Sequence, residues 1–249
     1  MRVRDELTDA LLLRSVDYGE SDRVLTLLTR RFGKVACIAR AARRSKKRFG
    51  GVLQPFTLLA VAIEPRRTGM PTLQSAEIER HHPRIVASLE RVSSGYAGLE
   101  LIRELSADQE ADDAVFDLAL ELLAALDAEA CRPDALLVCF EARLLAIAGF
   151  APMLDACGHC GKQAKPGQRA RFDAASGHLV CGACGGITAT GRDMLSGAAR
   201  AALMHASEGA FQEAAEMLQA PDVPAARYAM RTLTEHRIGR ELAADALLA

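Results

Sequence analysis

Four cysteines constrain this chain more than any other feature. Cys157-Gly158-His159-Cys160 and Cys181-Gly182-Ala183-Cys184 are two CxxC pairs with 20 residues between them. Thiolates two residues apart can grip one metal ion from a single tight turn, and two such pairs complete a tetrahedral set. Gly161 and Gly185 follow the pairs directly and give the backbone room to curl around an ion. One CxxC alone also suits a redox dithiol or a disulfide; two at this spacing, each followed by glycine, point to Zn2+. Four sulfur ligands leave no coordination position open, so the expectation is one structural zinc per chain and no metal catalysis. The stretch from Arg171-Phe172-Asp173 to His178-Leu179-Val180 has the strand-turn-strand character of a zinc ribbon. His159 and His178 are near enough in sequence to substitute as ligands, but four cysteines need no help. Cys37, Cys131 and Cys139 sit in apolar stretches and read as small core residues.

Upstream of the cysteines the patterning changes once. Thr8–Val16, Arg23–Thr29, Lys34–Ala41, Phe56–Ile63 and Thr72–Ile78 are short, rich in Val, Leu, Ile and Thr, and separated by turn residues. Five such strands in so short a stretch suit a small barrel, with the oligonucleotide-binding (OB) barrel a good candidate. From Pro83 the period becomes helical: Ile85, Leu89, Val92, Tyr96, Leu99 and Ile102 recur at three- and four-residue steps. A second helix is expected from Asp112 to Asp127. A third, Ala135–Ala148, is apolar almost all round and reads as the buried centre of a bundle, ended by Gly149. Helical patterning returns after the cysteines, broken at Glu208-Gly209 and Pro221–Pro224. The expected class is therefore α+β and multidomain. An N-terminal β-barrel (OB-fold) spans 1–81, an α-helical bundle spans 82–152 and 189–249, and a four-cysteine zinc ribbon at 153–188 is inserted in it.

Charge is unevenly spread. The chain has a net charge of only -1, yet residues 1–80 carry 16 Lys and Arg against 9 Asp and Glu. The remaining residues carry 15 against 23. A basic end on a neutral protein suggests a polyanion bound by one domain, with the acidic half left free to dock proteins. The basic charge peaks at Arg40, Arg43, Arg44, Lys46, Lys47 and Arg48, between two strands of the expected barrel. Lys34 and Arg23 lie close in sequence, and Arg14, Arg30 and Arg31 are further candidates. A run of this kind is a solvated loop in the plainer reading; on a nucleic-acid-binding barrel it suits phosphate. Phe and Tyr together number 11 and Trp is absent, with only Tyr18, Phe32, Phe49 and Phe56 near the basic run. Binding should therefore rest on the phosphate backbone rather than on base stacking.

Several classes are excluded or disfavoured. There is no phosphate-cradling GxxxxGK[ST] loop, no HExxH or other catalytic histidine spacing, and no clustered acidic set of a two-metal nuclease. The expectation is a non-enzyme. No apolar run reaches the roughly 18 residues needed to span a bilayer. Asp5, Glu6, Asp9, Asp17 and Glu20 break any signal-peptide pattern, so a cytoplasmic, nucleoid-associated protein with no membrane partner is expected. Arg143 on the central helix reads either as a partner contact or as part of a buried salt bridge.

Taken in order, several blocks resemble the RecO family of recombination mediators. They are Leu12-Leu13-Arg14, Tyr18-Gly19-Glu20-Ser21-Asp22-Arg23, Leu27-Leu28-Thr29 with Phe32-Gly33-Lys34, and Ala39-Arg40-Ala41-Ala42-Arg43. Leu53-Gln54-Pro55-Phe56 and Ser75-Ala76-Glu77 follow, then Phe140-Glu141-Ala142-Arg143-Leu144-Leu145, Gly149-Phe150, the four cysteines and His236-Arg237-Ile238-Gly239-Arg240. The resemblance implies an OB barrel, a helical domain and, in many members, a zinc module. It implies binding of single-stranded and double-stranded DNA and strand annealing in repair and recombination. Partners would be RecR and single-strand-binding protein, with help in loading RecA. The other reading, from the residues alone, is a zinc-ribbon RNA-binding protein or protein adaptor.

Overall fold

The computed structural model describes residues 7–45, 48–185 and 191–243. Five strands open it: β1 (Leu7–Tyr18), β2 (Asp22–Thr29), β3 (Gly33–Ala39), β4 (Thr57–Glu64) and β5 (Thr72–His81). They close into a barrel in the order β1-β2-β3-β5-β4, with β1 returning antiparallel onto β4 from Leu7↔Ala62 to Leu11↔Leu58. Closure between β3 and β5 is parallel and brief, at Ile38↔Thr72, helped by the Ile38 amide donating to the Pro71 carbonyl at 2.9 Å. Ala10, Leu12, Leu25, Leu27, Cys37, Leu59, Val61 and Leu73 fill the interior. Alternation puts every second residue inside, which is why five strands of Val, Leu and Ala suffice.

A bulge between Leu12 and Arg14 changes the role of β1. Before it Leu11, Leu12 and Leu13 are all buried; after it every residue from Arg14 to Glu20 is exposed. The second half of β1 therefore parts from β4 and runs exposed along β2, which stays in the barrel wall beside β3, as bulges at barrel rims allow.

Contacts divide the chain into two compact units, one of Met1–Ala87 with Ser106–Asp127, the other of Ser88–Leu105 with Ala128–Ala249. The first unit holds the barrel, a short helix α1 (Pro83–Val86), and a later helix. The second begins with α2 (Leu89–Leu105). The later helix of the first unit is α3 (Asp113–Asp127), whose Phe116 is fully buried beneath the Arg30 guanidinium, 4.5 Å from the ring centre. Arg30 also donates to Asp113 at 3.1 Å and Asp117 at 2.6 Å, one helical turn apart, and these carboxylates raise its pKa. The segment leading into α3 runs along the start of β3: the Gln109 amide donates to the Lys34 carbonyl at 2.9 Å. Gly33 makes this possible. Its φ is +64°, and a Cβ there would overlap the Glu110 backbone.

The second unit is built around α4 (Pro133–Ile147), which packs against α2, α6 (Gly197–Glu208), α7 (Phe211–Met217) and α8 (Val223–Ile238). Phe140 on α4 meets Phe211 edge-to-face at 6.1 Å between ring centres. The stripe expected from Ile85 to Ile102 is divided between α1 and α2, and its register shifts. Leu89 is 79% exposed, while Ser93, Ser94, Gly95, Ala97 and Gly98 are buried. Small residues let α2 approach α4 closely, and that close contact outweighs the larger apolar side chains in choosing the buried face. Among the described residues Arg143 has no buried salt bridge; it donates to the Ser207 carbonyl at 2.7 Å, near the end of α6.

A second sheet holds the cysteine segment, in the order β6 (Met153–Cys157), β8 (His178–Val180), β7 (Ala170–Asp173) and β9 (Met194–Leu195). The β7–β8 hairpin is the strand-turn-strand expected from sequence. β6 and β9 frame it on either side, and a one-turn helix α5 (Gly182–Gly185) carries Cys184. Among the described residues, no helix is long and apolar enough to cross a membrane.

Candidate nucleic-acid interface and metal centre

The basic stretch begins where β3 ends. Residues 40–45 and 48–56 form a turn-rich loop anchored at three points in the barrel core by Ala42, Phe49 and Leu53. Lys46 and Lys47 lie outside the described residues. The loop turns sharply at Ala41, which adopts φ +55°, a left-handed conformation costly for a residue with a Cβ. Its amide donates to Asp22 Oδ1 at 2.7 Å, and the Arg43 amide donates to the Ser21 carbonyl at 3.0 Å. The carboxyl of Asp22 is held below its ordinary range, first by this Ala41 amide.

Arg40, Arg43, Arg44 and Arg48 are exposed, and Arg23 is half-buried opposite Ala39 in the β2–β3 ladder. All five therefore occupy one end of the barrel. Arg23 and Arg43 share a carboxylate: Asp17 lies 3.1 Å from the first and 3.3 Å from the second. Arg44 is 3.6 Å from Glu20, with both side chains widely exposed. Arg48 donates to the Arg40 carbonyl at 3.0 Å and lies over the Phe49 ring. Lys34 is elsewhere. It starts β3, about 20 Å along the strand from Arg40 at roughly 3.3 Å per residue, and lies 3.2 Å from Asp108. Phe49 and Phe56 are buried and Phe32 sits under Arg31, so Tyr18, 60% exposed on the hairpin, is the one of the four aromatics that faces solvent. The acidic partners were not among the residues expected at the site.

The metal centre is assembled from two matching turns. The Gly161 amide donates to the Cys157 carbonyl and the Gly185 amide to the Cys181 carbonyl, each at 2.9 Å, so both CxxC pairs close on their trailing glycine. The four sulfur atoms of Cys157, Cys160, Cys181 and Cys184 lie within 4.8 Å of one another. Cys160 and Cys181 are 3.6 Å apart at sulfur. A tetrahedron with metal–sulfur bonds of about 2.3 Å has edges of about 3.8 Å, so four thiolates placed this way can hold a metal ion. The Cys181 and Cys160 amides directed at the Cys157 sulfur lower its thiol to about 6. Hydrogen bonds to the neighbouring sulfurs of Cys160 and Cys181 hold the proton on Cys184 and raise its thiol to about 12. His159 and His178 meet each other edge-to-face at 5.1 Å and are not part of the sulfur cluster. The His178 ring also fills the space where a Cβ on Gly158 would stand.

Residues 1–81 match the family model described as Recombination protein O N terminal, and residues 86–245 match Recombination protein O C terminal. The chain is 44% identical over 242 residues to the DNA repair protein RecO of Anaeromyxobacter dehalogenans (strain 2CP-C), covering 96% of this chain and 93% of that protein. It is 40% identical over 235 residues to the DNA repair protein RecO of Myxococcus xanthus (strain DK1622), covering 94% and 93%. At 31% over 239 residues, the DNA repair protein RecO of Desulfatibacillum aliphaticivorans is similar across 94% of this chain and 92% of its own. Two family models that match residues 1–81 and 86–245, with relatives 31% to 44% identical over more than nine-tenths of the chain, place it in the Recombination protein O (RecO) family.

Proposed function

We propose that this protein is a DNA repair mediator without enzymatic activity, which binds and anneals single-stranded DNA through the barrel within residues 1–81. The observation that carries this reading is the gathering of Arg23, Arg40, Arg43, Arg44 and Arg48 at one end of a closed barrel. Lys46 and Lys47 belong to the same loop in sequence and add to its charge. Lys34, beside Asp108, is not needed for the contact. With one exposed aromatic, the interface engages phosphate and leaves base edges free to pair, as annealing requires. Neutralising two backbones that repel each other needs no bond-making residue.

The four cysteines hold one structural Zn2+, which replaces a hydrophobic core too small to fold the β6–β9 sheet alone. The helical half docks RecR and the acidic tail of single-strand-binding protein, and so assists RecA loading. For such a tail, a cleft of about 380 Å3 beside α8 offers Arg227 and Arg231 with Val223, Pro224 and Tyr228, against one acidic residue, Asp134. Binding of fluorescent single-stranded DNA at stepped salt concentrations tests the main claim. The log–log slope should be roughly -2 to -4, and changing Arg43, Arg44, Lys46 and Lys47 to Ala should weaken binding on every sequence and flatten the slope. Retained, salt-steep binding after those four changes would remove the barrel loop from the site. Competition with structured RNA in the same assay separates this reading from an RNA-binding adaptor.

A further inference from the structure

Two acidic residues beside the basic loop, five positions apart on one hairpin, turn their carboxylates to different groups. Asp17 and Asp22 bracket the β1–β2 turn, at the tip of the hairpin beyond the β1 bulge. Asp17 turns its carboxylate to guanidinium groups, with oxygens 3.1 Å from Arg23 Nε and 3.3 Å from Arg43 Nε. Both arginines lie among those assigned to phosphate, and all three side chains are at least a third exposed. A phosphate arriving there meets two cations already half-neutralised, and must compete with Asp17 for them.

Asp22 turns its carboxylate to the backbone. Its Oδ1 accepts the Ala41 amide at 2.7 Å and the Ser21 hydroxyl at 3.2 Å. Ala41 is the residue in the left-handed conformation, at the point where the chain leaves β3 for the basic loop. Beyond it, the Arg44 and Ser45 amides both donate to the Ala41 carbonyl, and the Arg43 amide reaches back to Ser21. One carboxylate oxygen thus fixes the residue from which the turn carrying Arg43 and Arg44 is built.

We propose that Asp22 is a positioning residue that shapes the basic loop for phosphate, while Asp17 is an internal competitor that holds Arg23 and Arg43 back from it. The proposal rests on the assignment of this loop to DNA binding. It makes the affinity of the barrel a tuned quantity: the same short segment organises the cations and limits how strongly they bind. A protein that must hold strands and then release them as a duplex gains from such a limit.

Charge counting alone gives a different expectation. On that basis removal of either carboxylate raises affinity for a polyanion, and a charge-conserving change does nothing. The full-length protein with Asp17→Asn, Asp22→Ala, Asp22→Asn or Asp22→Glu distinguishes the two. Each variant is titrated with a single-stranded oligonucleotide across salt concentrations, with thermal unfolding as a check on folding. D17N should bind about threefold tighter or more at low salt and steepen the log–log slope by up to about 1.4, the share of two released arginines. D22A and D22E should bind about fivefold weaker, the change that loss of one ordinary hydrogen bond brings. D22N, which keeps the accepting oxygen, should bind at least as tightly as wild type. Amide exchange at residues 41–45 should quicken in D22A and D22E but not in D22N.

D22E or D22A binding as tightly as wild type overturns the positioning role, and unchanged or weaker binding by D17N overturns the competitor role. Where D22A does not fold, D22E and D22N decide the matter, since one keeps the charge and the other the acceptor. Failure of the parent reading has a separate signature: the fourfold Arg43, Arg44, Lys46 and Lys47 change then leaves DNA binding intact.

Discussion

Glu141 lies on the innermost helix, 4% exposed, and accepts a hydrogen bond from the Thr234 hydroxyl at 2.6 Å. Burial dominates its titration and raises the pKa to about 7, against the lowering effects of Thr234 and of Arg231 and Arg227. The folded state therefore holds this proton more tightly than the unfolded chain. Its contribution to stability is full below the unfolded value near 4.5 and is lost as pH rises through about 7. Glu141→Gln, which keeps an acceptor for Thr234, should flatten that part of the pH–stability curve. At pH 8 it should stabilise the protein by up to about 3 kcal/mol in denaturant unfolding. Neither this residue nor Asp22 was legible as anything but a member of a short motif, because spacing cannot tell a carboxylate that accepts a buried bond from one that faces water. The cysteine ligands were legible, since two residues between sulfurs is itself the geometry of the turn.

Among the elements, strands and breaks were easier to read than faces. Turn residues and β-branched runs place all five barrel strands, and Glu208-Gly209 and Pro221–Pro224 do separate α6, α7 and α8. The buried face of α2 differs from the expected one because Ser93, Ser94, Gly95, Ala97 and Gly98 are weakly apolar one by one. They become a packing surface only when α4 lies against them. The tie between α3 and the barrel was likewise out of reach: Arg30 finds Asp113 and Asp117 more than eighty residues away. Exposed pairs of this kind contribute little, typically below about 1 kcal/mol each, so close backbone packing at Gly33 has more to do with holding the segment. Gly33→Ala should destabilise the first unit by about 2 kcal/mol or more, from the left-handed φ and the overlap with Glu110 together. A lowered melting temperature with faster amide exchange at residues 106–112 is the expected result. An unchanged melt would mean that the Gln109–Lys34 contact contributes nothing.

Across the whole molecule, the metal cluster belongs wholly to the second unit. Withdrawing the metal should then act on one unit and spare the other. Titration with a thiol-reactive mercurial should release about one zinc per chain and lower the unfolding temperature of the second unit. Salt-dependent DNA binding by the barrel should persist. Loss of DNA binding in step with zinc release would tie the two together and contradict the assignment of the interface to the barrel alone.

The interleaving of the two units has a consequence for how the chain is made. The barrel's last strand ends at His81, but α3, the later helix of the same unit, ends only at Asp127, and α2 of the other unit is synthesised in between. At about 5–20 residues per second a ribosome takes roughly 2–9 s to cross that interval. For those seconds a nascent barrel can close while the Phe116 helix of its own unit is still being translated. The α2 segment, already emerged, has no α4 to pack against until about twenty residues later still. Order of synthesis thus runs against order of packing, and the growing chain must keep two unfinished surfaces apart before either is complete.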